Sequence, residues 1–173
     1  EIGHVYGLGV SGFLGSTIEI ESTVFPAKKK GHGTIKFNDT AGSMAKDSVF
    51  NAASVIRKIT NMDINDYDIH VNVIGGGKID GPSAGAAITV CIISALTERP
   101  IRQDVAITGE ISLRGNVKPV GGIFEKIYGA RRKGIKLVAI PKDNEKEVPL
   151  GLEDIEVKSI SHIEELMEIV FEK

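Results

Sequence analysis

Gly81-Pro-Ser-Ala-Gly85 is the segment whose residue types and spacing could carry chemistry. Ser83 opens an apolar run over 83–97 and is predicted to lie in the first turn of a buried helix. Unpaired backbone N–H groups converge there with the positive end of the helix dipole. Such a spot favours a developing oxyanion, which acyl transfer needs. The flanking glycines let a substrate backbone approach closely. Serine also caps helices, and this segment by itself does not separate the two roles. The match to G-x-S-x-G, the nucleophile elbow of α/β-hydrolases, is formal. That elbow follows a strand directly, whereas the glycine-rich loop Gly75-Gly-Gly-Lys-Ile-Asp-Gly81 intervenes here. It would also need an acid and then a histidine after the serine, and only His162 follows.

A lysine can deprotonate a serine if its amine is neutral, a state that burial among apolar groups or a nearby positive potential favours. Lys126 is the best candidate. On a helix predicted over Gly121–Lys133 its neighbours one turn away are Gly122, Ile123, Gly129 and Ala130, all small or apolar. Glu125 is adjacent in sequence but points about 100° around the helix. Spacing alone favours a plainer role, a lysine laying its stem along the helix with its amine in water. Other chemistries find less support. There is no His-Glu-x-x-His, no Cys-x-x-Cys and no G-x-x-x-x-G-K-[ST] phosphate loop. His4, His32, His70 and His162 lack ligand spacing, and only His70 is placed to face the glycine-rich loop.

The elements that must position these residues read as β in front and strand–helix alternation behind. Val5–Val10, Ser16–Phe25 and Gly33–Phe37 are predicted strands, separated by glycines and the Pro26–Gly33 turn. Gly42–Asn61 is a predicted helix with Met44, Ala45, Val49, Ala52, Ala53, Ile56 and Ile59 on one stripe. In the strand Tyr67–Ile74, Ile69, Val71 and Val73 share one face, His70 and Asn72 the other. Val105–Ser112 and Asn116–Lys118 are predicted strands joined through Arg114-Gly115. Leu137–Ile140 and Ile155–Ser159 are strands, and Asn144–Val148 is a short acidic helix. Ser161–Glu172 is a closing helix, with Ser161 as cap and Glu164 in the capping-box position. The fold class expected is α+β, or mixed α/β, in a single compact domain over 1–173.

Composition agrees with a globular domain: 42% of the 173 residues are hydrophobic and 25% charged. A net charge of −2 advertises neither a nucleic-acid groove nor an anionic membrane surface, so neither partner is expected. Arg131-Arg132-Lys133 reads as a solvated last helical turn. The single cysteine, Cys91, has no disulfide partner and suits a core position in a reducing, cytoplasmic compartment. Ala84–Leu96 is too short and no other run long enough to span a bilayer, and no signal-peptide pattern is visible. The chain opens at Glu1 without a methionine, as expected of a piece of something longer.

Several blocks in order resemble one family. Asp80-Gly-Pro-Ser-Ala-Gly85, Thr108-Gly-Glu-Ile-Ser-Leu-Arg-Gly115 and Lys118-Pro-Val-Gly-Gly-Ile-Phe-Glu-Lys126 are similar to the signature blocks of the Lon protease catalytic domain. The likeness extends to Gly42-Ser-Met-Ala-Lys-Asp-Ser48, Asp68-Ile-His-Val71 and Ala130-Arg-Arg-Lys-Gly134, and so covers essentially the whole chain. The resemblance implies an ATP-dependent serine endopeptidase with a Ser–Lys dyad. Ser83 matches the nucleophile, Lys126 the general base, and Thr108 a hydroxyl that orients the lysine. Asp80 matches an acidic position before the nucleophile that could pair with Lys126, and His70 a strand histidine of many relatives. Asn72 stands where bacterial members commonly have a second histidine. With a loop one residue shorter, this leans towards archaeal-type members, some of them membrane-anchored through other parts.

The resemblance further implies an AAA+ ATPase module absent from this chain, so ATP and magnesium belong there and no cofactor is expected in this domain. Its expected partners are sister copies in a hexameric ring and unfolded or damaged proteins as substrates. Beside the α/β-hydrolase reading, which a His162 variant would test, two alternatives stay open. One is a Lon-like domain kept only for oligomerisation. The other is a phosphate-binding domain like the GHMP kinases, with the loop over 75–85 cradling phosphate at a helix start.

Overall fold

The computed structural model describes residues 1–38, 42–75 and 81–173. Its first strands form a long hairpin, β1 (His4–Ser11) and β2 (Leu14–Pro26), joined through Gly12-Phe13 with Gly12 at φ +63°. There follow β3 (Ile35–Phe37), α1 (Gly42–Thr60), β4 (Tyr67–Ile74), α2 (Gly85–Thr97), β5 (Val105–Ile107), β6 (Glu110–Ile111) and β7 (Val117–Lys118). The chain ends with α3 (Ile123–Lys133), β8 (Leu137–Pro141), β9 (Glu156–Ile160) and α4 (Ile163–Val170). Seven strands make one sheet in the order β3-β4-β2-β1-β5-β8-β9. Its β4-β2-β1 part is antiparallel, and the remaining pairings are parallel. β6 and β7 form a separate two-stranded ribbon. This is the mixed α/β class.

Period-two alternation decides which side chains face which layer. Ile18, Ile20, Ile69, Val71 and Val73 are buried under α1 and α2, which share one core cluster with α4. The alternate residues Leu8, Ala106, Val138 and Ile140 pack under α3 on the opposite face. β5 and β8, covered on both sides, read accordingly as unbroken apolar runs. α2 is buried from Gly85 through Ser94, which explains an apolar residue or small group at nearly every angle. Among the described residues, no helix is long and apolar enough to cross a membrane.

α3 lies unusually close to the sheet. A Cβ added to Gly15 on β2 would overlap the Glu125 carbonyl, and one added to Gly129 would overlap the Gly15 backbone. Helix backbone therefore rests directly on strand backbone, which only glycine at both positions permits.

Besides shifts of one or two residues at element ends, such as α3 starting at Ile123 rather than Gly121, four differences from the sequence reading have a local reason. Residues Gly81–Ala84 form a 3-10 turn, and α2 starts only at Gly85. The predicted strand 105–112 breaks at Thr108-Gly109, because Gly109 turns away to bond the start of α2. It donates its N–H to the Ser83 carbonyl (2.9 Å) and accepts from the Ala86 N–H (3.0 Å). The acidic segment Lys142–Glu147 is a 3-10 turn rather than an α-helix. The cap of α4 is His162, whose ring accepts the Glu164 N–H (3.2 Å). Ser161 instead has its own N–H held by the Glu165 carboxylate (3.3 Å).

Two outcomes are expected from this packing. Gly129→Val forces α3 off the sheet and costs on the order of 3 kcal/mol or more, read as a lowered midpoint in urea unfolding. Burial pushes the Cys91 thiol far up, and the Glu21 charge adds to it. At 0% exposure the protonated thiol should therefore resist iodoacetamide at neutral pH until the chain is unfolded. Labelling of the folded chain at the rate of a free thiol contradicts this.

Candidate active site

β1 and β5 run parallel, and their C-terminal ends leave a crevice of the kind where open α/β sheets bind ligands. α2 begins beside it from one face of the sheet, and α3 begins beside it from the other. A cavity of about 290 Å³ opens there, lined by Val10 of β1, Ser83, Gly121, Gly122, Glu125 and Lys126. The structure thus brings Ser83 and Lys126 to the walls of one cavity, although they lie far apart along the chain.

Ser83 is 5% exposed and sits in the 3-10 turn before α2. The N-cap of α2 falls on Ala84, so capping that helix is not the position Ser83 occupies. The Gly109 N–H fixes the Ser83 carbonyl, tying the turn to the residue that follows Thr108. Of the amides expected to converge here, that of Ala86 is already donated to the Gly109 carbonyl.

Lys126 is 3% exposed, in the first turn and a half of α3. Its backbone N–H bonds the Gly122 carbonyl (2.9 Å) in the first turn of the helix. Gly122 has φ +70°, and a Cβ there would come within 2.7 Å of Val10 Cγ2. The lysine Nζ donates to Thr108 Oγ1 at 3.0 Å. Thr108 is fully buried at the end of β5, anchored by its N–H to the Ala139 carbonyl (3.1 Å). Lys126 is therefore no snorkelling surface residue. Its amine crosses from the α3 side to the end of a central strand.

The remaining expected site residues fare differently. His70 is exposed on β4 opposite Thr23, its ring edge-on to Phe25 at 6.5 Å, and it does not line the cavity. Alternation with the buried Ile69 and Val71 turns it to the uncovered face of the sheet. Asp80 lies outside the described residues. Asn72 donates to the Glu21 carboxylate (2.8 Å) across the β2–β4 pair. Of the basic cluster, Arg132 is exposed as expected, yet donates to the Gly15 carbonyl (2.6 Å) and helps pin α3 to the hairpin. No cluster of His, Cys, Asp or Glu among the described residues could hold a metal ion. Sequence reading missed Val10 and Asn144. Val10 is one more apolar residue in a strand, and Asn144 a polar residue in a charged segment, so neither carried a signal of its own.

Comparison with known proteins places this arrangement. All of residues 1–173 match the family model of the Lon protease (S16) C-terminal proteolytic domain. An archaeal Lon protease of Pyrococcus abyssi is 42% identical over 174 residues, covering 98% of this chain and 17% of that protein. That of Thermococcus kodakarensis is 42% identical over 177 residues, covering 99% and 28%. Lon protease 2 of Bacillus subtilis is 40% identical over 181 residues, covering 97% and 33%. The mixed α/β domain is thus of the proteolytic class. The chain belongs to the Lon protease family, in the part that forms its C-terminal proteolytic domain. It spans at most 33% of the length of these three relatives.

Replacing Thr108 by valine keeps the shape and removes the oxygen that accepts from the lysine. Leaving a buried donor without that acceptor should cost about 1–3 kcal/mol, measured by urea unfolding, whereas Thr108→Ser should recover most of it. Equal stability of Thr108→Val and the parent would show that the contact contributes nothing.

Proposed function

We propose that this domain hydrolyses peptide bonds through Ser83 as nucleophile and Lys126 as general base. One observation carries the reading. A lysine at 3% exposure reaches across the end of β5 to Thr108 Oγ1 and lines the same cavity as a buried serine. Burying a lysine is unfavourable for the charged ammonium, so a fold that keeps one at a cavity wall favours its use as a neutral base.

In the proposed reaction the neutral Lys126 amine accepts the Ser83 proton as Oγ bonds to the substrate carbonyl carbon. The Thr108 hydroxyl, accepting one amine hydrogen, turns the amine lone pair towards the serine. The carbonyl π electrons move onto oxygen, and backbone N–H groups around Ser83 hold the oxyanion. Collapse breaks the C–N bond, and Lys126 returns the proton to the departing amine. Water, deprotonated by the same lysine, then releases the acyl group and regenerates Ser83.

The family likeness supports a wider setting. The substrates are unfolded or damaged polypeptides, fed by an ATP- and magnesium-dependent AAA+ module outside this chain. Copies of the domain assemble with one another in a hexameric ring in the cytoplasm.

Ser83→Ala and Lys126→Ala should each lower turnover of a fluorogenic peptide by about 10³-fold or more, and the double variant scarcely further, because the two act as one unit. Circular dichroism should show both folded. Parent-like turnover by either single variant rejects the dyad.

A further inference from the structure

One wall of the Ser83–Lys126 cavity is the backbone of Gly121 and Gly122. No strand or helix contains that stretch, since β7 ends at Lys118 and α3 begins at Ile123. A side chain holds the residue just before it instead. Asn144, 4% exposed in the turn Lys142–Glu147, accepts the Val120 N–H at Oδ1 (2.9 Å). From Nδ2 it donates to the Val120 carbonyl (2.9 Å). This two-point contact is what the backbone of a neighbouring strand would offer. The other Nδ2 hydrogen goes to the Glu147 carboxylate, so both amide donors are used and the orientation of the amide is set.

Beside this clamp the backbone is open. Among the described residues no hydrogen bond engages the N–H or C=O of Gly121, and a Cβ added there would meet nothing within 4 Å. α3 does not depend on the clamp. Gly15 and Gly129 seat it on the sheet, and Ile123, Ile127 and Ala130 bury it in the core under β5 and β8. Lys126 is therefore placed independently of Asn144.

We propose that Asn144 is a positioning residue for substrate. It holds Val120 by both backbone groups, so that the next residue, Gly121, presents its N–H and C=O to the backbone of a peptide entering the cavity before Gly122 turns the chain into α3. The inference rests on the peptidase reading of this cavity. An edge that binds backbone groups accepts any sequence, which suits a polypeptide substrate. A fixed edge also spares the bound complex the entropy of ordering it.

Asn144→Asp keeps the size of the side chain and puts an oxygen where Nδ2 faced the Val120 carbonyl and Glu147. For a fluorogenic peptide, KM should rise by about tenfold or more while kcat stays within about twofold. The rate at which a small phosphonylating reagent without a peptide portion labels Ser83 should not change. A fall in kcat and in labelling beside the rise in KM would mean that Asn144 supports the dyad or the fold, and an unchanged KM would mean that it positions nothing. A second measurement holds even if Asn144→Asp does not fold. In the folded Ser83→Ala chain, the ¹H–¹⁵N signals of Gly121 and Gly122 should move on titration with the unlabelled peptide, and signals that stay put overturn the proposal. Parent-like turnover by Ser83→Ala would remove the dyad reading instead, leaving the Gly121 signals to judge the edge.

Discussion

Contact between two backbones, Gly129 of α3 against Gly15 of β2, is the constraint from which the arrangement of the cavity follows. A side chain at either position would lift the helix from the hairpin, and Lys126 would move with it. At this separation the lysine stem reaches the end of β5, and the amine meets Thr108. Arg132 reinforces the seating from the far end of the helix through the Gly15 carbonyl.

The other half of the cavity is set by a chain crossing of the same economy. Gly109 leaves the sheet after β5 and exchanges hydrogen bonds with both sides of the junction into α2. A Cβ at Gly109 would sit 2.6 Å from Val117 Cγ1, so the crossing also needs glycine. Thr108 thus stands between two neighbours. Its own residue holds the lysine, and the next one holds the backbone of Ser83. Neither the Lys126 amine nor the Ser83 backbone can shift far without straining the end of the central strand.

A buried lysine is costly unless its polar atoms are met, and this fold meets part of that cost with a threonine hydroxyl. The hydroxyl accepts one amine hydrogen and so orients the amine. The same logic recurs at Asn144, where a neutral amide substitutes for a strand and fixes backbone without introducing charge. Apolar layers on either face of the sheet surround these polar contacts.

Much of this was legible in the residues alone. The alternation of Ile69, Val71 and Val73 marked the buried face of β4, and the apolar run after Ser83 marked an interior helix. The small neighbours of Lys126 fitted the inward face of α3, and the ordered blocks around Ser83, Thr108 and Lys126 carried the family. Period and local composition suffice for such features because they report on a single element. What tertiary structure alone decided were relations between elements. It split the stretch 105–112 at Gly109, handed the α4 cap to His162, turned His70 away from the cavity and made Asn144 a backbone clamp. Each depends on which residues, remote in sequence, arrive within hydrogen-bonding distance. No pattern along one segment encodes that, because the partner belongs to another.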